Sequence, residues 1–104
     1  MGNHELTVRF RKARRDPELT VIEGFHALKH ALRFGAELVE AVAVDPEALE
    51  ALARELAPDL AGRLAGRVET VAREELAGLA PLVPRTGVVA IARRPPVDLA
   101  AVLA

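Results

Sequence analysis

Short apolar runs and helically spaced apolar positions alternate along the chain. Leu19–Glu23, rich in β-branched residues, reads as a strand, as do Leu38–Val44, Val68–Val71 and Gly87–Ala92. Between them, Phe25, Leu28, Ala31 and Leu32 fall on one face of a helix over Phe25–Phe34, with Gly35 placed to end it. Ala48, Leu49, Leu52, Ala53 and Leu56 make the stripe of a second helix, which Asp45-Pro46 starts and Pro58 stops. A turn or short helix is expected over 59–66, and a short helix over Ala72–Leu79. Pro81 and Pro84 bound an extended link before the last strand. The unbroken apolar run of that strand suits a central position covered on both faces. Ahead of these elements, Leu6 and Phe10 define a narrow apolar stripe on a basic helix over residues 5–15, which Asp16-Pro17 breaks. The order β-α-β-α-β-α-β predicts an α/β fold with helices on both faces of a sheet.

The chain has 104 residues, enough for one domain. Only 3% of them are aromatic, so the core is expected to be aliphatic, with Phe10, Phe25 and Phe34 all assigned to it. Without cysteine there are no disulfides, thiolate metal sites or cysteine nucleophiles. No apolar run reaches membrane-spanning length and no signal-peptide core follows the N-terminus, so a soluble, cytoplasmic protein is expected.

The net charge of −1 conceals a strong asymmetry. Residues 1–34 hold seven Lys/Arg against four Asp/Glu, residues 35–84 four against ten, and residues 85–104 three against one. If the two ends of the chain fold onto one side, that side is basic and suited to a polyanion. Arg9, Arg11, Lys12, Arg14 and Arg15 are the first candidates for phosphate contacts, with a solvated basic helix as the alternative on composition alone. Lys29 and Arg33 share a polar helix face with His26 and His30. The i,i+4 histidines have no Cys, intervening acid or third ligand to join them, so no metal is expected. Glu23-Gly24, where a strand turns into a helix, is either an edge whose helix N-terminal N–H groups meet a phosphate or a backbone requirement. No Ser/His/Asp set, phosphate-binding Gly-rich loop or paired-carboxylate site is present, and no catalytic residue is assigned.

Two segments carry a family resemblance. The first is the basic stretch leading into Thr20-Val21-Ile22-Glu23-Gly24 and a helix that ends before Gly35. The second is Pro84-Arg85-Thr86-Gly87-Val88-Val89-Ala90-Ile91-Ala92. Together they resemble the N-terminal RNA substrate-binding domain of SpoU/TrmH-type RNA ribose 2′-O-methyltransferases, over roughly residues 9–95. One departure is that Thr86 stands where many members have Gln, with Pro84 one position further away. The resemblance implies a three-layer α/β/α sandwich on a mixed four-stranded sheet, similar to ribosomal protein L30e and L7Ae. The expected organisation is a basic N-terminal helix over 1–16, the RNA-binding domain over 17–95, and a tail or the start of a linker to a catalytic domain over 96–104. The resemblance also favours RNA, whether rRNA or tRNA, as the partner of the basic helix and of Lys29, Arg33, Arg85 and Thr86. Methyl transfer and S-adenosylmethionine are expected in a SPOUT catalytic domain outside these residues, which alone are expected to be non-catalytic and to hold no cofactor. With all three phenylalanines assigned to the core, recognition is expected to work by shape and phosphate rather than by base stacking. A protein-interaction or dimerisation module, using the acidic middle and apolar tail, and a stand-alone kink-turn RNA-binding protein are the alternatives.

Overall fold

The last strand of the chain runs through the interior of the sheet. In the computed structural model, which describes residues 4–80 and 87–95, β4 (Val88–Arg93) lies between β1 (Leu19–Glu23) and β2 (Glu37–Ala43). The short β3 (Val68–Thr70) adds to the far side of β2, giving the order β1-β4-β2-β3. Both pairings of β4 are antiparallel, whereas β2 and β3 are parallel, so the sheet is mixed. Val88 to Ala92 are all buried, as their apolar run requires of a strand covered on both faces.

Among the described residues, five helices cover the two faces and make an α/β sandwich. On one face, α2 (Phe25–Arg33), α3 (Pro46–Leu56) and α4 (Pro58–Leu64) pack Leu28, Leu32, Leu49, Ala53, Leu60 and Leu64 against Ala41, Ala43, Ala90 and Ala92. Small residues in the sheet let these helices sit close to it. On the other face, α1 (His4–Arg15) and α5 (Arg73–Ala77) bury Leu6, Phe10, Ala13 and Leu76 against Val42, Val89 and Ile91. The basic helix is therefore built into one of the two cores through its apolar stripe.

Local signals set most boundaries. Asp45 caps α3, its carboxylate accepting the Ala48 N–H at 3.1 Å, and Pro46 takes the first helical position. Pro58 both ends α3 and opens α4, so of the turn or short helix expected over 59–66 the structure has the short helix. The observed strands and helices differ from expectation by a residue or two at several ends: β2 is Glu37–Ala43, β3 stops at Thr70, and α5 is Arg73–Ala77.

Two apolar assignments are corrected. Phe34 is not in the core; it caps the C-terminus of α2 and is 69% exposed. The buried residues of α2 are Phe25, Leu28 and Leu32, and a position two past Leu32 lies on the opposite side of a helix with 3.6 residues per turn. In α3, Leu49 and Ala53 are buried, but Ala48 is exposed and Leu56, in the last turn, is 52% exposed. The link 81–86 and the tail 96–104 lie outside the described residues.

Gly24 joins β1 to α2 with φ 95° and ψ 155°, a conformation nearly restricted to glycine. Its N–H donates to the Val88 carbonyl at 2.9 Å and its carbonyl accepts the Leu28 N–H at 3.1 Å. The glycine is thus explained by backbone geometry. Gly24→Ala is expected to destabilise the domain by about 1–3 kcal/mol. Thermal unfolding followed by circular dichroism checks this, at roughly 4–8 °C of melting temperature per kcal/mol. An unchanged melting temperature would mean that the backbone here relaxes without cost.

Candidate nucleic-acid interface

The two ends of the sheet differ in charge. At one end, β1, β2 and β3 finish and β4 begins, and helices start. Glu23, Asp45, Glu47, Glu74 and Glu75 collect there, the last four in or beside the first turns of α3 and α5, where acids complement the helix dipole. At the other end α1 and α2 finish, and the register row Leu19–Arg93–Glu37 closes the sheet. Arg15, Arg33, Arg63, Arg67, Arg93 and Arg94 belong to this end, with Asp16, Glu18, Glu37 and Asp59 as its acids.

Most of these arginines are committed to the fold. Arg63 donates to the Leu32 and Ala36 carbonyls at 3.2 and 3.4 Å, closing the C-terminus of α2. Arg67 donates to the Leu38 carbonyl at 3.0 Å. This falls beside the bulge between Leu38 and Glu40, where the short β3 leaves β2 unpaired. Arg93 lies 3.5 Å from Glu18. Arg33 grips Asp59 with two bonds of 2.8 and 3.2 Å. That pairing raises the Arg33 pKa above its ordinary value and lowers that of Asp59, chiefly through the hydrogen bonds.

The basic residues of α1 divide in the same way. Arg9 makes a two-pronged pair with Glu40 on β2, at 2.9 and 2.7 Å, and this hydrogen bonding raises its pKa. Arg14 donates to the Leu79 carbonyl at 2.7 Å and lies 3.8 Å from Glu23. Both flank the buried stripe and reach down to the sheet and to the segment after α5. Arg11, Lys12 and Arg15 point outward, exposed, with no partner among the described residues. Helical geometry separates the two sets, because 11, 12 and 15 fall opposite Leu6, Phe10 and Ala13.

The basic ends of the chain also meet. The Arg94 N–H donates to the Glu18 carbonyl at 2.9 Å. Arg14 and Arg94 line one cleft of about 230 Å³, with Ala13 and Leu19–Val21 as its other walls. Arg94 is not among the sequence candidates; Pro95-Pro96 marks Arg93-Arg94 only as the end of the compact part.

Residues 21–97 match the family described as RNA 2′-O ribose methyltransferase substrate binding. The chain belongs to that family. No individual curated protein matches it. RNA is accordingly the partner of this substrate-binding domain. The match starts inside β1, so α1 precedes it, although α1 supplies Leu6, Phe10 and Ala13 to one of the cores.

Other sequence candidates lie apart from the α1 face. Lys29, half-buried on α2, has no partner among the described residues. Arg85 and Thr86 lie outside the described residues. His26 and His30 are exposed, and no group of three potential metal ligands occurs among the described residues. Nor is any described helix long and apolar enough to cross a membrane.

Proposed function

We propose that this domain holds structured RNA, rRNA or tRNA, for a SpoU/TrmH-type catalytic domain that transfers methyl from S-adenosylmethionine to a ribose 2′-hydroxyl. The contact runs along the outward face of α1, through Arg11, Lys12 and Arg15, onto the arginine-bearing end of the sheet at Arg94. One observation carries this reading. The three α1 cations have no partner among the described residues, yet they sit on a helix that Phe10 fixes rigidly to the sheet. A row of unneutralised cations on a helix held to the sheet suits an A-form backbone, where shape and phosphate positions are read rather than bases. The acidic opposite end repels the same polyanion and so helps to orient it. No described residue is assigned to methyl transfer or to S-adenosylmethionine. Those roles are placed in the catalytic domain, and RNA processing in the cytoplasm is the setting this reading implies.

The test is binding of structured rRNA and tRNA fragments at two salt concentrations. Affinity that falls steeply with salt supports the reading. Failure to bind either RNA at low salt, with a stable dimer in its place, would turn it to a protein-interaction module.

A further inference from the structure

Phe34 is the one described phenylalanine outside the core, and its position gives it a use. It is 69% exposed at the C-terminus of α2, and its ring meets that of His30 with centroids 4.5 Å apart and planes tilted by 53°. A lone exposed apolar residue is ordinary. Here the surroundings are specific. Arg63 is held against the carbonyls of Leu32 and Ala36, on either side of Phe34 in the chain, so a fixed guanidinium offsets the negative end of the helix dipole. The Arg33–Asp59 pair borders the same turn. Gly35 follows, where an added Cβ would lie 3.7 Å from Pro95, just beyond Arg94. Phe34 therefore stands at the arginine-bearing end of the sheet, the end onto which the α1 cations also lead.

We propose that Phe34, braced by His30, is a stacking platform for an unpaired RNA base, and that Arg94 flanks the adjoining phosphates. The inference rests on the RNA-binding reading above and adds a contact with single-stranded nucleotides, which phosphate contacts along α1 do not supply. An exposed π-face accepts any base and asks only that it be unstacked. The braced ring loses little freedom on binding, because the contact with His30 already restricts it.

The chain has no Trp and no Tyr, so Phe34→Trp introduces a single fluorescent reporter at the site. The probes are an RNA hairpin with a uridine loop and the same stem as a blunt duplex. The indole fluorescence of the Phe34→Trp variant is expected to be quenched saturably by the hairpin and little by the duplex. Phe34→Ala is expected to weaken hairpin binding roughly five- to a hundredfold. Its salt dependence should stay that of the parent, because no cation is removed. Phe34→Leu, which keeps apolar area but has no π-face, should fall with Phe34→Ala. Melting curves of these variants are expected to match the parent, since the side chain is exposed.

Indole fluorescence that stays unchanged in the Phe34→Trp variant, at RNA concentrations that saturate binding, would overturn the stacking site while leaving the α1 interface standing. Parent-like binding by Phe34→Leu would overturn it, because a side chain without a π-face would then serve as well. Quenching by the hairpin when removal of Arg11, Lys12 and Arg15 has no effect would uphold Phe34 and reject the α1 face. A parent chain that binds neither RNA at low salt would overturn both.

Discussion

Replacing Phe10 by Ala is expected to lower the stability of the domain by about 3–5 kcal/mol, the usual cost of emptying a buried phenylalanine site. Phe10 is 1% exposed and is the largest side chain in the core beneath α1 and α5. It shares that core with aliphatic residues alone, among them Leu6, Ala13, Val42, Leu76, Leu79, Val89 and Ile91, so losing the ring leaves a large space among them. Against a total stability of about 5–15 kcal/mol for a domain, the loss leaves little margin. Urea unfolding is the measurement, with Phe34→Ala as the exposed counterpart, expected to leave the midpoint almost unchanged. If Phe10→Ala unfolds at the urea concentration of the parent, α1 does not hold to the sheet as the burial implies. The same reasoning applies to the segment drawn from sequence as a separate basic helix over 1–16. Removing it uncovers Val42, Val89 and Ile91 on the sheet, so a chain beginning at Pro17 is expected to lose cooperative unfolding.

The sheet was legible because its strands are marked on both sides. Leu19–Glu23 is closed by Gly24, and Asp45-Pro46 stops β2 as it caps α3. The unbroken Val88–Ala92 run pointed to the central strand. The mixed sheet came from the family resemblance rather than from the local pattern, since pairing partners are distant in sequence. The candidate site was less legible. Charge runs were visible, but which cations are neutralised depends on contacts such as Arg9–Glu40 and Arg33–Asp59, far apart along the chain. Arg63 and Arg67 gave no sign of closing carbonyls at 32, 36 and 38. Phe34 is the instructive exception. The spacing of Phe25, Leu28 and Leu32 already turns position 34 outward, and its assignment to the core rests on the scarcity of aromatic residues instead of on that spacing.

That division of the cations sets the second large effect. Changing Arg11, Lys12 and Arg15 together to Ala is expected to reduce the slope of log affinity against log salt by roughly 2–3, because each lost phosphate contact removes a little under one released counterion. Between about 50 and 200 mM salt, the parent would then lose roughly 16 to 64 times more affinity than the variant, the fourfold salt change raised to that slope difference. The loss should be similar for RNAs of different sequence, since phosphate contacts carry no base information. Arg9 and Arg14 supply the contrast. Their charges are engaged with Glu40, the Leu79 carbonyl and Glu23, so changing both to Gln should move the slope much less. It should instead lower thermal stability, because a hydrogen bond to a charged group contributes about 1.5–3 kcal/mol where solvent is excluded and less where, as here, the groups are partly exposed. Equal slopes for the parent and the Arg11, Lys12 and Arg15 variant would remove α1 as the phosphate-binding face. A slope lost with Arg9 and Arg14 would mean that RNA breaks those pairs open, and the outward row of unpaired cations would no longer describe how this domain holds its substrate.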